Sequence, residues 1–373
     1  MYKPVVVACD TGNDTIKVKV NKNIYFIPTI MKSNPRKRLI FGSGDEGESI
    51  DFLDVTVESR IISGVYHVGN LARYGINQES LGGVKSENKL IMVCMLTAIA
   101  YALAMEYPSN NDFSLYLGAG LPVSEFFWQN EEGEYDFSKV EKYKETIAGI
   151  HRVKFNTNLL NNRTITIEIT PERLAVIPEG YAALTSILMS DDIDPDFRRY
   201  TRKNAIAFCM DIGSISCDVS SMMNGKYFPA GMFGFDMGMS SAIDSLCIDI
   251  RNRTGIKDIT RYEVNTYLFD KELNGIYKTN KVEINLNQEK IPHYKKLAET
   301  IAYRFREKLK ENGVDIRRIN VLFLVGGGSI ELGDYVFESL KNDISEFVGF
   351  EAEEALTKNL LGYEIAAKKL LND

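Results

Sequence analysis

Apolar and polar positions along this chain alternate with two periods. Val5-Val6-Val7-Ala8-Cys9 is a short apolar run, and Ile16-Lys17-Val18-Lys19-Val20 alternates apolar with polar. Both read as strands, the second half-exposed. Asn21-Lys22-Asn23 is turn chemistry, and residues 24–30 read as a third strand. Three antiparallel strands are therefore expected to open the protein, with the first turn centred on Gly12. Residues 31–63 are polar and Gly-rich and read as a surface excursion, closed by Tyr66-His67-Val68-Gly69. A helix is predicted over 86–106, with Ser86 or Asn88 as cap. Its uncharged stretch, 90–105, falls short of the ~18–20 residues that span a bilayer, so it reads as a buried helix.

Further along, Leu115-Tyr116-Leu117-Gly118-Ala119-Gly120-Leu121-Pro122 reads as a strand ending in a loop. Residues 129–146 are charged and read as another surface segment. Residues 164–169 alternate as a strand, and a helix is predicted over 179–189, entered after Pro178. A second strand–turn–strand begins at Ala205-Ile206-Ala207-Phe208-Cys209-Met210 and turns at Asp211-Ile212-Gly213-Ser214. Residues 240–312 read as mostly helical. Leu297, Ile301, Phe305 and Leu309 make one apolar stripe there. A strand over 320–325 runs into Gly326-Gly327-Gly328, and a last helix is predicted over 360–371.

The two strand–turn–strand segments echo each other. Aligning Asp10 with Asp211 also aligns Gly12 with Gly213, Asn13 with Ser214, Thr15 with Ser216 and Val18 with Val219. The copies lie about half a chain apart. Two homologous halves would place two acidic loops facing each other across a cleft.

Composition narrows the function. The 373 residues suggest two domains, and 45% apolar with 25% charged residues excludes wholesale disorder. The net charge of −7 argues against direct gripping of nucleic acid. Five scattered cysteines form no C-x-x-C, so neither a zinc site nor a dithiol redox motif is expected. The N-terminus enters an apolar strand without a secretory pattern, which predicts a cytoplasmic protein with no membrane partner.

Four elements carry chemistry. A tight Gly-containing turn between strands points backbone N–H groups at one spot, an anion nest suited to phosphate. A strand-end Asp supplies the hard oxygen that Mg²⁺ takes, usually through bound water. Asp10-Thr11-Gly12-Asn13-Asp14-Thr15-Ile16-Lys17 has both features and a Lys to neutralise phosphate. Asp211-Ile212-Gly213-Ser214-Ile215-Ser216 repeats them without the Lys. A lone D-x-G is more often an ordinary hairpin turn, and two copies reverse those odds. Gly326-Gly327-Gly328-Ser329 allows close backbone approach to a flat nucleoside, or is simply a strand-to-helix turn. Pro178-Glu179-Gly180 sets a carboxylate at a helix start, able to orient water against a γ-phosphate, or merely to suit the helix dipole.

Gly42-Ser43-Gly44-Asp45-Glu46-Gly47 fits G-x-G-x-x-G, but its acidic pair would repel a pyrophosphate. Arg36-Lys37-Arg38 and Arg198-Arg199-Tyr200-Thr201-Arg202-Lys203 read as solvated faces. His67, His151 and His293 lack ligand spacing.

Together the paired D-x-G turns, the Gly-Gly-Gly element and Pro-Glu-Gly resemble the actin-like ATPase superfamily across the whole chain. Tyr66-His67-Val68-Gly69-Asn70-Leu71-Ala72, Leu117-Gly118-Ala119-Gly120-Leu121-Pro122-Val123-Ser124 and Asp10-x-Gly12-x-x-x-x-Lys17 resemble the ParM-type plasmid-segregation actins. The resemblance implies an α/β actin-like fold, two duplicated ribonuclease-H-like domains flanking a nucleotide cleft. Domain I would cover 1–178, with an inserted subdomain at about 31–80, completed by a C-terminal helix at 355–373. Domain II would cover 179–354, with an insertion at about 240–300.

By the same resemblance Asp10 and Asp211 would hold hydrated Mg²⁺, Asp211 also counting as catalytic, and Lys17 would sit near the β- and γ-phosphates. Gly12, Asn13, Asp14 and Thr15 would cradle phosphate, with Gly213, Ser214 and Ser216 opposite. Glu179 would polarise the attacking water. Gly326, Gly327, Gly328 and Ser329 would face the nucleoside, Gly234-Phe235-Asp236-Met237-Gly238 would lie near the ribose, and Gly362 would act as an interdomain hinge. The sequence departs from many relatives at Ser214-Ile215-Ser216-Cys217, where a small polar loop replaces Gly-Gly or Gly-Thr. Residues 31–63 and 129–160 match no family feature.

The expected activity is hydrolysis of ATP, or GTP, with Mg²⁺, coupled to self-assembly into filaments that move plasmid or phage DNA through a DNA-binding adaptor. The alternative is a small-molecule kinase on the same fold, for which Asp236 is the candidate base. A chaperone is disfavoured because no peptide-binding segment follows the last helix. A nucleotide-binding regulator without turnover is disfavoured by the set Asp10, Lys17, Glu179 and Asp211.

Overall fold

A computed structural model describes residues 4–34, 50, 53–73, 84–129, 134–156, 159–190, 193–270, 272–280 and 282–372. The chain divides into two compact units, Met1–Ile193 with Thr357–Asp373, and Asp194–Leu356. Residues 179–193 thus group with the first unit.

In the first unit, nine strands among the described residues form one sheet. Its order is Asn23–Pro28, Thr15–Val20, Pro4–Thr11, Asp112–Leu121, Thr164–Pro178, Gly149–Phe155, Leu53–Glu58, Ser63–Val68, Met31–Ser33. The three opening strands pair antiparallel as the alternation predicts, with Val7 opposite Val20 and Asp10 opposite Lys17. The first strand also runs parallel to Asp112–Leu121. The helix Lys89–Glu106 packs into the same core, capped by Asn88, whose side chain accepts from the N–H groups of Leu90 and Ile91. It is long and apolar enough to cross a membrane by length and composition. Every residue from Ile91 to Ala104 is nonetheless buried within the unit, which explains an apolar stretch without one polar face.

Two segments expected at the surface belong to the core. Leu53–Glu58 is a sheet strand with Leu53, Val55 and Val57 fully buried, and Met31–Ser33 and Ser63–Val68 pair at the same edge. Ser138–Ile147 is an amphipathic helix that buries Val140, Tyr143 and Ile147. The polar average of each stretch hides a short periodic segment.

The C-terminal helix, Ala352–Asn372, starts earlier than predicted. It seats Tyr363, fully buried, against the sheet. A Cβ on Gly362 would stand 1.9 Å from the carbonyl oxygen of Ala182, and one on Gly118 would stand 1.9 Å from that of Tyr363. Glycine therefore sets how closely helix, strand and neighbouring helix approach.

The second unit repeats the opening arrangement. Ile206–Ile212 pairs antiparallel with Cys217–Met223 and parallel with Val321–Val325. Helices Met239–Thr254, Arg261–Phe269 and Leu286–Glu311 follow, interrupted by the hairpin Ile276–Lys278 and Glu283–Asn285. Leu297, Ile301, Phe305 and Leu309 are buried as the stripe predicts. All five cysteines are buried thiols.

The glycine contact is testable. Propensity alone favours Ala over Gly in a helix by about 1 kcal/mol. Gly362→Ala is nonetheless expected to destabilise the protein by about 1–3 kcal/mol through overpacking against Ala182, read from the denaturant midpoint.

Candidate functional site

In the first unit the strand Pro4–Thr11 delivers Asp10, 5% exposed, to its C-terminal end. Across the hairpin Lys17 Nζ lies 2.7 Å from Asp10 Oδ2. The intervening turn is held from outside: Thr29 Oγ1 donates to the Gly12 carbonyl at 2.6 Å, and Thr29 N–H to the Asp14 carbonyl at 2.9 Å. Gly12, Asn13 and Thr15 are half-buried and Asp14 is exposed.

Glu179 directly follows the strand Thr164–Pro178, its N–H donating to the Leu121 carbonyl at 2.8 Å. It does not begin the helix as expected. Gly180 turns the chain at φ 72°, and the helix is Tyr181–Leu188. Asn359 of the C-terminal helix accepts from the N–H groups of Gly180, at 3.0 Å, and Ala183, at 3.1 Å. That bond pair fixes the turn carrying Glu179.

The sequence reading missed the side chain that meets Glu179. Lys85 is 5% exposed and its ammonium donates to Glu179 Oε1. Lys85 sits on a single helical turn, Lys85–Glu87, which Glu125 anchors by accepting from the N–H groups of Lys85, at 2.6 Å, and Ser86, at 2.8 Å. Burial alone would lower the Lys85 ammonium. The charges of Glu179 and Asp10 overcome it and hold Lys85 above its ordinary range, cationic. Burial pushes the Glu179 carboxyl up, against the pull of Lys85. Around them the hydroxyls of Thr11, Ser86 and Tyr143 are buried and lack a well-formed hydrogen bond among the described residues. The first unit thus gathers Asp10, Lys17 and Glu179, as expected, and adds Lys85. A lone Lys ahead of an apolar helix gives no motif to find it by.

In the second unit Asp211 ends the matching strand, and the residue opposite it is Asp218. Asp218 is 3% exposed and accepts from Ser216 Oγ at 3.2 Å. Extending the internal echo, in which Lys17 corresponds to Asp218, would have found this residue. Like charges in cross-strand register are destabilising, so the pair suits a cation. Among the described residues no three or more His, Cys, Asp or Glu converge as a metal cage. Mg²⁺ keeps its waters and needs only one or two carboxylates, so Asp211 beside Asp218 fits it, as Asp10 does in the first unit.

The second turn is tied to its own unit. Gly213 N–H donates to Ser216 O at 2.9 Å, closing the turn. The N–H groups of Met239 and Ser240, at a helix start, donate to the carbonyls of Gly213 and Ser214, and the Ser214 and Ser240 hydroxyls are 2.8 Å apart. Gly326, at φ 84°, passes so close that a Cβ would fall 2.1 Å from Asp211 Oδ1. Gly326 and Gly327 reach the surface, whereas Gly328 and Ser329 are buried, and Ser329 Oγ donates to the Gly326 carbonyl at 2.8 Å. The Gly-rich element therefore acts partly as packing around Asp211. Asp236 is exposed, just beyond the short strand Phe233–Phe235. The segments 36–38 and 42–47 lie outside the described residues.

Comparisons with known proteins follow this geometry. The model of the actin like proteins N-terminal domain matches residues 8–181, and that of the archaeal actin homologue MreB-like C-terminal domain matches residues 209–338. None of the curated proteins matches the sequence. Among solved structures, the archaeal actin homolog Ta0583 is similar at 20% identity and a TM-score of 0.71, over 98% of this chain and 99% of that one. A pCBH ParM non-polymerisable quadruple mutant is similar at 16% and 0.73, over 98% and 100%. Bacillus thuringiensis ParM with AMPPNP is similar at 18% and 0.67, over 98% of each chain.

Glu125 provides a test of how the first unit's cluster is held. Glu125→Ala strands two buried N–H groups, and is expected to cost about 2–3 kcal/mol in chemical denaturation, as befits lost bonds to a charged acceptor.

Proposed function

Because the chain belongs to the actin-like proteins, we propose that it is an ATPase that binds ATP or GTP with Mg²⁺ and assembles into filaments. On this reading it works in the cytoplasm and moves plasmid or phage DNA through a DNA-binding adaptor. The carrying observation is the repeated hairpin, which sets Asp10 and Asp211 at matching strand ends, each followed by a small-residue turn. The nucleotide held by the Bacillus thuringiensis ParM structure supports nucleotide as the ligand. The neighbour described as a non-polymerisable ParM mutant supports polymerisation as the activity. The net charge of −7 favours an adaptor over direct DNA contact.

The chain's own residues divide the work. The turn at Gly12, Asn13, Asp14 and Thr15 and that at Gly213, Ser214 and Ser216 bind phosphate through backbone N–H and hydroxyl groups, and Lys17 neutralises phosphate oxygens. Asp10 and Asp211 are the residues that would hold Mg²⁺, which would supply charge neutralisation on the phosphates. Glu179 accepts a hydrogen bond from the attacking water and holds the proton it releases. Gly326 and Gly327 lie against the nucleoside, with Gly328 and Ser329 shaping the turn that presents them.

Light scattering should rise when MgATP or MgGTP is added to micromolar protein. A flat trace with both nucleotides and their slowly hydrolysed analogues would sink the filament reading. Asp10→Ala and Asp211→Ala should each abolish the rise, while Lys17→Ala should weaken nucleotide binding. Glu179→Ala should separate assembly from turnover: filaments form, but phosphate release falls by ~10²–10⁴ and the polymer persists. Equal phosphate release in the mutant would remove Glu179 from the catalytic set.

A further inference from the structure

We propose that Lys85 is a positioning residue for hydrolysis, fixing the Glu179 carboxylate in one orientation so that it can take the proton of the attacking water. The inference rests on the function proposed for Glu179.

Three independent restraints converge on the pair. Lys85 reaches Glu179 from a turn that Glu125 ties down through two backbone N–H groups. Glu179 sits on a turn that Asn359 ties down through two others. Both side chains are largely buried, at 5% and 12% exposure, so the contact is not an incidental surface pair. A buried ion pair is weak evidence of stability, because desolvation offsets the attraction. Such a pair with both backbones anchored is suited to holding one carboxylate in one orientation, which a water-activating base requires.

The charges facing Glu179 set the sign of the effect. Lys85 favours its ionised form, whereas Asp10 on the first strand and Glu125 on the helix Val123–Phe126 oppose it. Tyr143, on the helix Ser138–Ile147, faces the pair, and Cys9 lies beside Tyr143. Lys17 is engaged by Asp10. Without Lys85 the charges of Asp10 and Glu125 would act on the carboxyl unopposed by the ammonium. The carboxyl would then hold its proton to higher pH, and the acid limb of the rate profile would move up.

The test uses the full chain with MgATP, following phosphate release and nucleotide affinity. Lys85→Met should lower kcat by about 10–100-fold at neutral pH, with partial recovery at high pH. Nucleotide Kd should stay within about threefold, and Lys85→Arg should restore most of the rate. In a Glu179→Gln background, Lys85→Met should cost no further rate, because it acts only through Glu179. That double variant removes both buried charges and keeps the test valid if Lys85→Met alone fails to fold. An unchanged kcat and pH profile in Lys85→Met, or a further tenfold loss in the double variant, would overturn the proposal. So would a loss confined to Kd. Wild-type protein that releases no phosphate would instead sink the ATPase reading, and this inference with it.

Discussion

A carboxylate can be buried at the end of a central strand only if a cation comes within reach. Both units of this protein face that constraint, and they answer it differently. In the first, Asp10 is almost fully buried and the hairpin register brings Lys17 directly opposite, at 2.7 Å. In the second, the same register brings Asp218 opposite Asp211. One difference, Lys in one copy and Asp in the other, changes the cross-strand partner of the strand-end Asp from a cation to a second carboxylate.

The scaffold around each Asp follows from that demand. In the first unit, the residues that complete the site come from far apart in sequence. Lys85 precedes the buried helix Lys89–Glu106, Glu179 directly follows a long strand, and Asn359 belongs to the last helix. Each is held by backbone bonds that leave little freedom to the side chain. The close approach of the C-terminal helix, permitted by Gly118 and Gly362, is what brings Asn359 to the turn at Gly180. Packing at a distance from the chemistry thereby sets the direction of Glu179.

What could be read beforehand was local. The two hairpins announce themselves because strand, turn and strand are contiguous, from Pro4 to Val20 and from Ile206 to Met223, and the duplicated Asp and Gly positions reinforce each other. The strand Leu53–Glu58 alternates as plainly as any, but a polar neighbourhood masks it when a whole stretch is averaged. Gly326 to Ser329 look alike in sequence, yet Gly327 is exposed, Gly326 half-buried and the other two buried, a distinction made by the fold around Ile212. Lys85 has no local signature. Its role depends on Glu125, 40 residues later, and Glu179, 94 later, and sequence periodicity carries no information on such a contact.

The charges of the two clusters explain why a divalent ion belongs to the proposed reaction. In the first unit the cations Lys17 and Lys85 stand among Asp10, Glu179 and Glu125, so carboxylates outnumber cations there by one. Asp211 and Asp218 face each other in cross-strand register, and Ser216 Oγ donates a neutral hydrogen bond to Asp218. On the proposed function, Asp10 and Asp211 would each be a residue for Mg²⁺, while the setting of the water-activating carboxylate originates in the first unit alone. A nucleotide alone, itself an anion, would add repulsion at Asp211 and Asp218. On the proposed function, the metal complex of the nucleotide would relieve that repulsion.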